Sequence, residues 1–412
     1  MKKITALLLC VCVLLSLAAC GKEAPATATT EPMPTANDIY VEPEDVDTEP
    51  SVYYLNHDPA MEPVWQQLAQ EYEQATGTHV YVITAAQRAY TETLLAELDR
   101  KEPVTLFYAQ GIHSLEGLED RCLDLSTTAA FAALADPELA LRSGDAVVGL
   151  PGHTESIGLL VDTALLEQAG YTLEQVLTPQ GLADAVDSIT ENAQELGFQA
   201  FAVPGLDTTD TGAARQLACY AAALESLEGG KISAGFLATH VDCLRTVWDL
   251  ASSGFGGDPA ELMNQGEDAM RDAFSAGEAV FCFGGSRDAA LREDLALIPI
   301  PSGEESLLIT GSESFWCVNA QASSMDVEAT LAFLDWVLTE KADVLGMSLP
   351  YGEGHLDPLT TQALSRDARQ LPLCLWAVTD EQMLRDFCSA LTVYACEPTD
   401  DNWALVTESF RS

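Results

Sequence analysis

The mature part of the chain alternates between two hydrophobic periods. Val52-Tyr53-Tyr54-Leu55 reads as a strand, and Asp58 with Pro59 then reads as an N-cap and first helical position. Val64, Leu68 and Tyr72 recur at helical spacing until Gly77 stops the run. Residues His79 to Ile83 alternate as a strand, Tyr90, Leu94, Leu95 and Leu98 mark a helix, and Val104 to Tyr108 reads as a third strand. Further along, strands are expected at Ala146 to Pro151, Phe198 to Val203, Ala279 to Phe283 and Leu295 to Ile300. Helices are expected at Leu182 to Leu196 and Val327 to Leu338. Strand, helix, strand in repeated order calls for an α/β fold whose sheets carry helices on both faces. No repeat of solenoid spacing interrupts it.

The start of the chain has a different pattern. Lys2 and Lys3 precede an uncharged apolar run from about Ile4 to Leu17, too short for a stable membrane span but suited to a signal-peptide core. The run ends in Leu17-Ala18-Ala19-Cys20, followed by Gly21, a string that resembles the bacterial lipobox. That resemblance implies cleavage before Cys20, lipidation of its thiol and a firm anchor through two acyl chains. Residues 20–50 are rich in Pro, Thr, Ala and Glu and lack the large apolar side chains needed for a core, so they read as a disordered tether.

Composition narrows the partners. The chain has 64 Asp plus Glu against 19 Lys plus Arg. Nucleic acid and bare anionic membrane both require positive charge and are excluded as partners. The acidity either favours a cationic ligand or keeps a surface protein solvated. Cysteines at 122, 219, 243, 282, 317, 374, 388 and 396 show no C-x-x-C spacing, so neither a zinc site nor a thioredoxin-type site is expected. Cys282 and Cys317 lie in apolar strings and read as buried thiols, while pairing among Cys374, Cys388 and Cys396 stays open.

Several strings, taken in order, resemble the extracellular solute-binding proteins of ABC transporters, in the broad sugar-binding family that includes maltose-binding protein. They are the helix end at 68–77, the strand Pro103 to Tyr108, Gly149-Leu150-Pro151 with Glu155, and residues 273–280. Residues 310–319, 389–395 and Asp401-Asn402-Trp403 continue the series. The resemblance implies a two-lobed periplasmic-binding-protein-like fold, each lobe a doubly wound and mainly parallel sheet, with several crossings at the hinge. One lobe is expected from 51–155 plus 313–350 and the other from 156–312 plus 351–412, after a signal peptide at 1–19. It further implies a monomer without cofactor, metal or enzymatic activity. Such a protein captures a small ligand, above all a carbohydrate, between its lobes and delivers it to the transmembrane subunits of a permease.

Sugar sites pair flat aromatic faces with planar polar groups. On that basis the candidates are Tyr108 and Gln110 at the end of the third strand, and Glu155 at the first crossing, with His153 beside it read as a surface histidine. Asp207 and Asp210 lie in a loop, Ser286 and Arg287 follow Gly284-Gly285, Trp316 lies on the second crossing strand, and Tyr351 follows Leu349-Pro350. Each has a plainer alternative. Tyr108 and Tyr351 are also readable as core, Trp316 reads first as core packing, and the acids and Arg287 are also readable as surface charges; Trp376 is read as core. The family's usual aromatics are replaced here by Ile157, Val161-Asp162 and Ser286. Those losses weaken the sugar assignment more than the fold. A polyamine-like cation and a surface sensor or adhesin are therefore carried as rival readings. A hydrolase is disfavoured, since the chain has no G-x-S-x-G, H-E-x-x-H or P-loop.

Overall fold

Alternating side chains along the first strands are buried on both faces, and this sets the architecture. The computed structural model describes residues 49–86, 89–207, 212–227, 234–345, 348–352 and 356–411. Cys20, the leader, most of the tether segment and Asp210 lie outside the described residues. The first sheet contains β1 (Ser51–Asn56), β2 (His79–Thr84), β3 (Leu106–Ala109), β4 (Leu141–Ser143) and β5 (Ala146–Pro151). The chain then enters the second sheet through β6 (Thr154–Asp162), β7 (Gln199–Phe201), β8 (Ala279–Gly285), β9 (Leu295–Ile298), β10 (Ile300–Ser302) and β11 (Glu305–Ser312). It returns to the first sheet as β12 (Phe315–Val318), and β13 (Arg369–Leu371) finally joins β11. The strand orders are β2-β1-β3-β12-β5-β4 and β10-β11-β6-β8-β7, with β9 also on β6.

In the first sheet, Val52, Tyr54, Leu106, Trp316 and Val318 face one cluster with Trp65, Leu68, Tyr72 and Phe333. Their chain neighbours Leu55, Phe107, Phe315 and Cys317 face another with Leu94 and Leu98. Period two in the sequence thus becomes two cores. Helix α1 (Glu62–Thr76) supplies the first core through Trp65, Leu68, Ala69 and Tyr72. It ends at Gly77, whose φ of 79° is costly for any side chain with a Cβ. Asp58 accepts a bond from the N–H of Ala60 at 2.9 Å, the cap that its place before Pro59 predicts. Helix α2 (Tyr90–Leu98) covers the opposite face.

The second sheet is built on β6, all nine of whose residues are buried. It is bonded to β8, β9 and β11, so neither face nor edge of most of its length meets water. Helix α3 (Pro179–Leu196) starts at a Thr178 cap with Pro179 in its first turn, three residues before the apolar periodicity becomes visible. Helix α4 (Gly212–Leu227) buries an alanine-rich stretch, and the hydroxyl of Tyr220 donates to the carbonyl of Ile157 on β6 at 2.7 Å.

Two expectations need correction. The sheets are mixed rather than mainly parallel: β3 with β12, β12 with β5, and β6 with β8, β9 and β11 are all antiparallel. A strand that brings the chain in from the other sheet arrives from the opposite direction, so β6 and β12 run against their neighbours. The strand expected over Leu295 to Ile300 is split at Pro299, which has no N–H to give a ladder. The halves take different partners, β9 pairing with β6 and β10 with β11. All eight cysteines in the described residues are free, Cys374, Cys388 and Cys396 included.

Candidate functional site

Two crossings lie side by side. The first runs from Pro151 at the end of β5 to Thr154 at the start of β6, and the second from Ser312 at the end of β11 to Phe315 at the start of β12. The N–H of Gly152 donates to the carbonyl of Ser314 at 2.6 Å, pinning one crossing to the other. A Cβ at Gly152 would stand 2.4 Å from the hydroxyl of Ser314 and 3.2 Å from its carbonyl, so any side chain here forces that hydroxyl to turn away and the two backbones to ease apart. A third passage lies alongside. The N–H of Thr154 donates to the carbonyl of Ser348 at 2.9 Å, and the hydroxyl of Tyr351 donates to the carbonyl of Pro151 at 2.7 Å.

Each of the first two crossings carries a glutamate. Glu155 is 4% exposed and pairs with the guanidinium of Arg287, whose side chain is 65% exposed. Burial pushes its carboxyl up to about 7; Arg287 opposes this, while the charges of Glu313, Asp288 and Asp357 add to it. His153 is not a free surface histidine. Its Nε2 lies 3.9 Å from Glu155, and burial, with Arg287 nearby, holds its pKa below the usual imidazole range. Glu313 accepts the N–H of Trp376 at 2.6 Å. Burial raises its pKa too, and that bond opposes the rise. Asp288 is engaged by Arg271 and by the N–H of Gly285.

Aromatic rings flank this group. Tyr108 is the next-to-last residue of β3 and lies beside Glu313, its hydroxyl 3.4 Å from the Glu313 carbonyl. One of its faces is covered by the ring of His57 at 3.5 Å and 12°. Burial lowers the pKa of His57 to about 4, so its ring is neutral at physiological pH. Trp376 sits in the short 3-10 turn Leu375–Ala377 and stacks on His113, from the turn Ile112–Leu115, at 3.8 Å and 15°. Trp376 is therefore not a core residue. It is half-buried, in contact with a turn that follows the first sheet.

Among the sequence candidates, Tyr108, Glu155 and Arg287 meet at the crossings. Ser286 is buried beside them, its hydroxyl accepting the N–H of Ser156 at 3.1 Å. Gln110 is exposed just beyond β3, where its N–H donates to the hydroxyl of Ser114. Asp207 lies in the loop after β7, its N–H bonded to the carbonyl of Gln265 at 2.9 Å. Trp316 is packed in the first sheet's core, with Nε1 donating to the hydroxyl of Tyr54 at 3.3 Å. Tyr351 is 1% exposed and supports the first crossing from beneath. Sequence reasoning did not single out Glu313, His57 or His113. The available signal was a glutamate midway between two strands; nothing local marked the two histidines. Among the described residues no cluster of ligating side chains could hold a metal ion.

A cavity of about 540 Å³ opens elsewhere, between β7 and the helix Glu267–Ser275, lined by residues that include Gln199, Phe255, Gln265 and Asp272. It contains none of the crossing residues. The crossings remain the better candidate because their buried carboxylates and half-covered rings have polar and stacking capacity to offer a ligand.

Comparison with known proteins fits this geometry. No curated protein sequence matches the chain. Among solved structures, unliganded RafE from Streptococcus pneumoniae is similar at a TM-score of 0.63 and 16% identity, covering 89% of this chain and 98% of that one. A family 1 extracellular solute-binding protein from Alicyclobacillus acidocaldarius is similar at a TM-score of 0.66 and 15% identity, with 89% and 99% covered. RafE in complex with raffinose gives a TM-score of 0.54 at 17% identity, with 88% and 98% covered. These likenesses show the fold, a two-lobed periplasmic-binding-protein architecture. The profile described as bacterial extracellular solute-binding protein matches residues 67–351, more than half of the sequence. By that match the chain belongs to the bacterial extracellular solute-binding protein family.

Proposed function

We propose that this protein is the capture component of an ABC importer, taking a small saccharide between its lobes and handing it to permease transmembrane subunits. The observation that carries the reading is the meeting of Glu155, Glu313, Arg287 and Tyr108 where the chain passes between the sheets. Carboxylates and a guanidinium are suited to hydroxyl groups, and a tyrosine face to a pyranose ring. A ligand touching both lobes stabilises the closed arrangement by that extra contact, and no covalent step is involved. Raffinose in the RafE complex is the kind of ligand this reading expects. The lobes are assigned to the two sheets with their helices, the protein is taken as a monomer, and Cys20 is assigned as the lipidated anchor on the outer membrane face.

A second reading is favoured by one observation. Burial raises both Glu155 and Glu313, the charge of Glu313 raises Glu155 further, and Arg287 is largely exposed. A ligand ammonium could neutralise that pair better than a hydroxyl does. Thermal-shift screening separates the two, because a ligand that binds only the folded state raises the melting temperature. Mono- and oligosaccharides are expected to shift the midpoint. A shift with polyamines and none with any saccharide would replace the first reading with the second.

A further inference from the structure

Both rings best placed to stack a sugar already carry a histidine on one face. His57 covers Tyr108, and His113 covers Trp376. The two caps are held differently. His57 follows β1 directly and is largely buried, with its Nδ1 buried and unpartnered. His113 lies in a short turn, is exposed on its outer side, and touches an element on the far side of the crossings.

The His113 contact is built with care. Gly111 begins the turn with a φ of 69°, and a Cβ there would lie 3.2 Å from the indole Nε1 of Trp376 and 3.3 Å from Nδ1 of His113. The indole edge therefore packs against bare backbone. From the other side, Glu313 fixes the backbone of Trp376 through the 2.6 Å bond. With the two rings 3.8 Å apart, nothing fits between them, since a ring inserted there needs a gap of roughly 7 Å.

We propose that His113 is an internal competitor for the ring face of Trp376, and that a ligand presenting a flat apolar ring face binds by displacing it. This inference rests on the saccharide reading and adds a contact residue, Trp376, with the side chain that occupies it. It also makes His113 a filter. A ligand without a stackable face cannot repay the lost histidine contact and is disfavoured relative to one that has it.

The test is calorimetric titration of the full mature chain and its His113→Ala and Trp376→Ala variants with raffinose, maltotriose, xylotriose and acarbose. Removing the competitor is expected to tighten binding roughly two- to tenfold. Removing the indole is expected to weaken it by a similar factor, and His113→Phe, which keeps a stacking ring, is expected to stay near wild type. Tryptophan emission should change on ligand addition in wild type and stay constant in Trp376→Phe. His113→Asn, at the same exposed position, serves if the alanine variant fails to fold. If a saccharide binds wild type but His113→Ala binds no more tightly, the competitor inference falls and the saccharide reading stands. If no saccharide binds any variant, His113→Ala included, both fall. Binding by His113→Ala alone supports the competitor directly.

Discussion

The two crossings use the same residue type for different ends. Glu155 lies at the start of the central strand of the second sheet, and its partner Arg287 follows β8 of that same sheet, so the pair ties the second sheet to itself. Glu313 stands between β11 and β12 and binds the backbone of Trp376, so it positions an aromatic segment. One glutamate holds a side chain that can swing; the other holds a main chain that cannot. Burial raises both pKa values, but only Glu155 is carried to about 7. A carboxylate at a crossing must therefore be judged by what it holds, because position alone assigns both the same role.

Forcing the crossings apart is expected to have the largest effect. Gly152→Val places atoms where Ser314 stands and is expected to cost roughly 2–3 kcal/mol, read as a lowered melting temperature. A melting temperature like wild type would mean that the crossings are not pinned at this point. Next comes Glu155→Ala. It is expected to weaken ligand binding by about tenfold or more, with the unliganded fold retained, as measured by calorimetry beside circular dichroism. Equal affinity would remove Glu155 from the site.

Protonation sharpens the same contrast. The carboxyl of Glu155 is raised from 4.5 to about 7, so the native state holds its proton more tightly than the unfolded chain does. The associated stabilisation is complete below the unfolded value and is lost as pH rises through the folded one. Glu155→Gln cannot ionise. It is therefore expected to melt above wild type at pH 8 and to lose that advantage at pH 5; parallel melting curves across this range would contradict the raised value. Tyr351→Phe is a smaller change, removing the bond to the Pro151 carbonyl for about 1 kcal/mol of stability and leaving ligand affinity unchanged. Smallest of all is Glu313→Gln, which keeps an acceptor for the N–H of Trp376 and is expected to move affinity less than Glu155→Ala does.

Much of the fold could be read from local pattern. Strands β1 to β3 and α1 with its Gly77 stop are visible from simple hydrophobic periods, and β8 from a continuous apolar run that is buried throughout. Strand direction could not be read in that way: whether β12 runs with or against β3 depends on where the chain has been in the preceding two hundred residues. The site divides along the same line. Glu155 and Arg287 were legible as charged residues beside motif strings. Trp316 and Tyr351 were ambiguous because a buried aromatic and a binding aromatic have the same sequence. Trp376 was misread as core, since its neighbours Leu373, Cys374 and Val378 are indeed buried and only the stack on His113 draws it outward. The replaced family positions now have an explanation of their own. Asp162 caps the helix Thr163–Gln168 and pairs with Arg292 at 2.6 Å, and Ile157 is core.

The way the body begins has a mechanical consequence. Ser51 opens β1, its N–H held by Asp326 at 2.9 Å in the first turn of the helix Ser324–Glu340. From there β1 runs parallel to β2 along its whole length and parallel to β3 on its other side. Tension applied through the N-terminal segment therefore pulls β1 along its own axis. The strand must slide past both neighbours at once before any bond is released, which is loading in shear. A pull across the strand would instead unzip its bonds one at a time. The strand that the N-terminal segment leads into is thus arranged to bear a load.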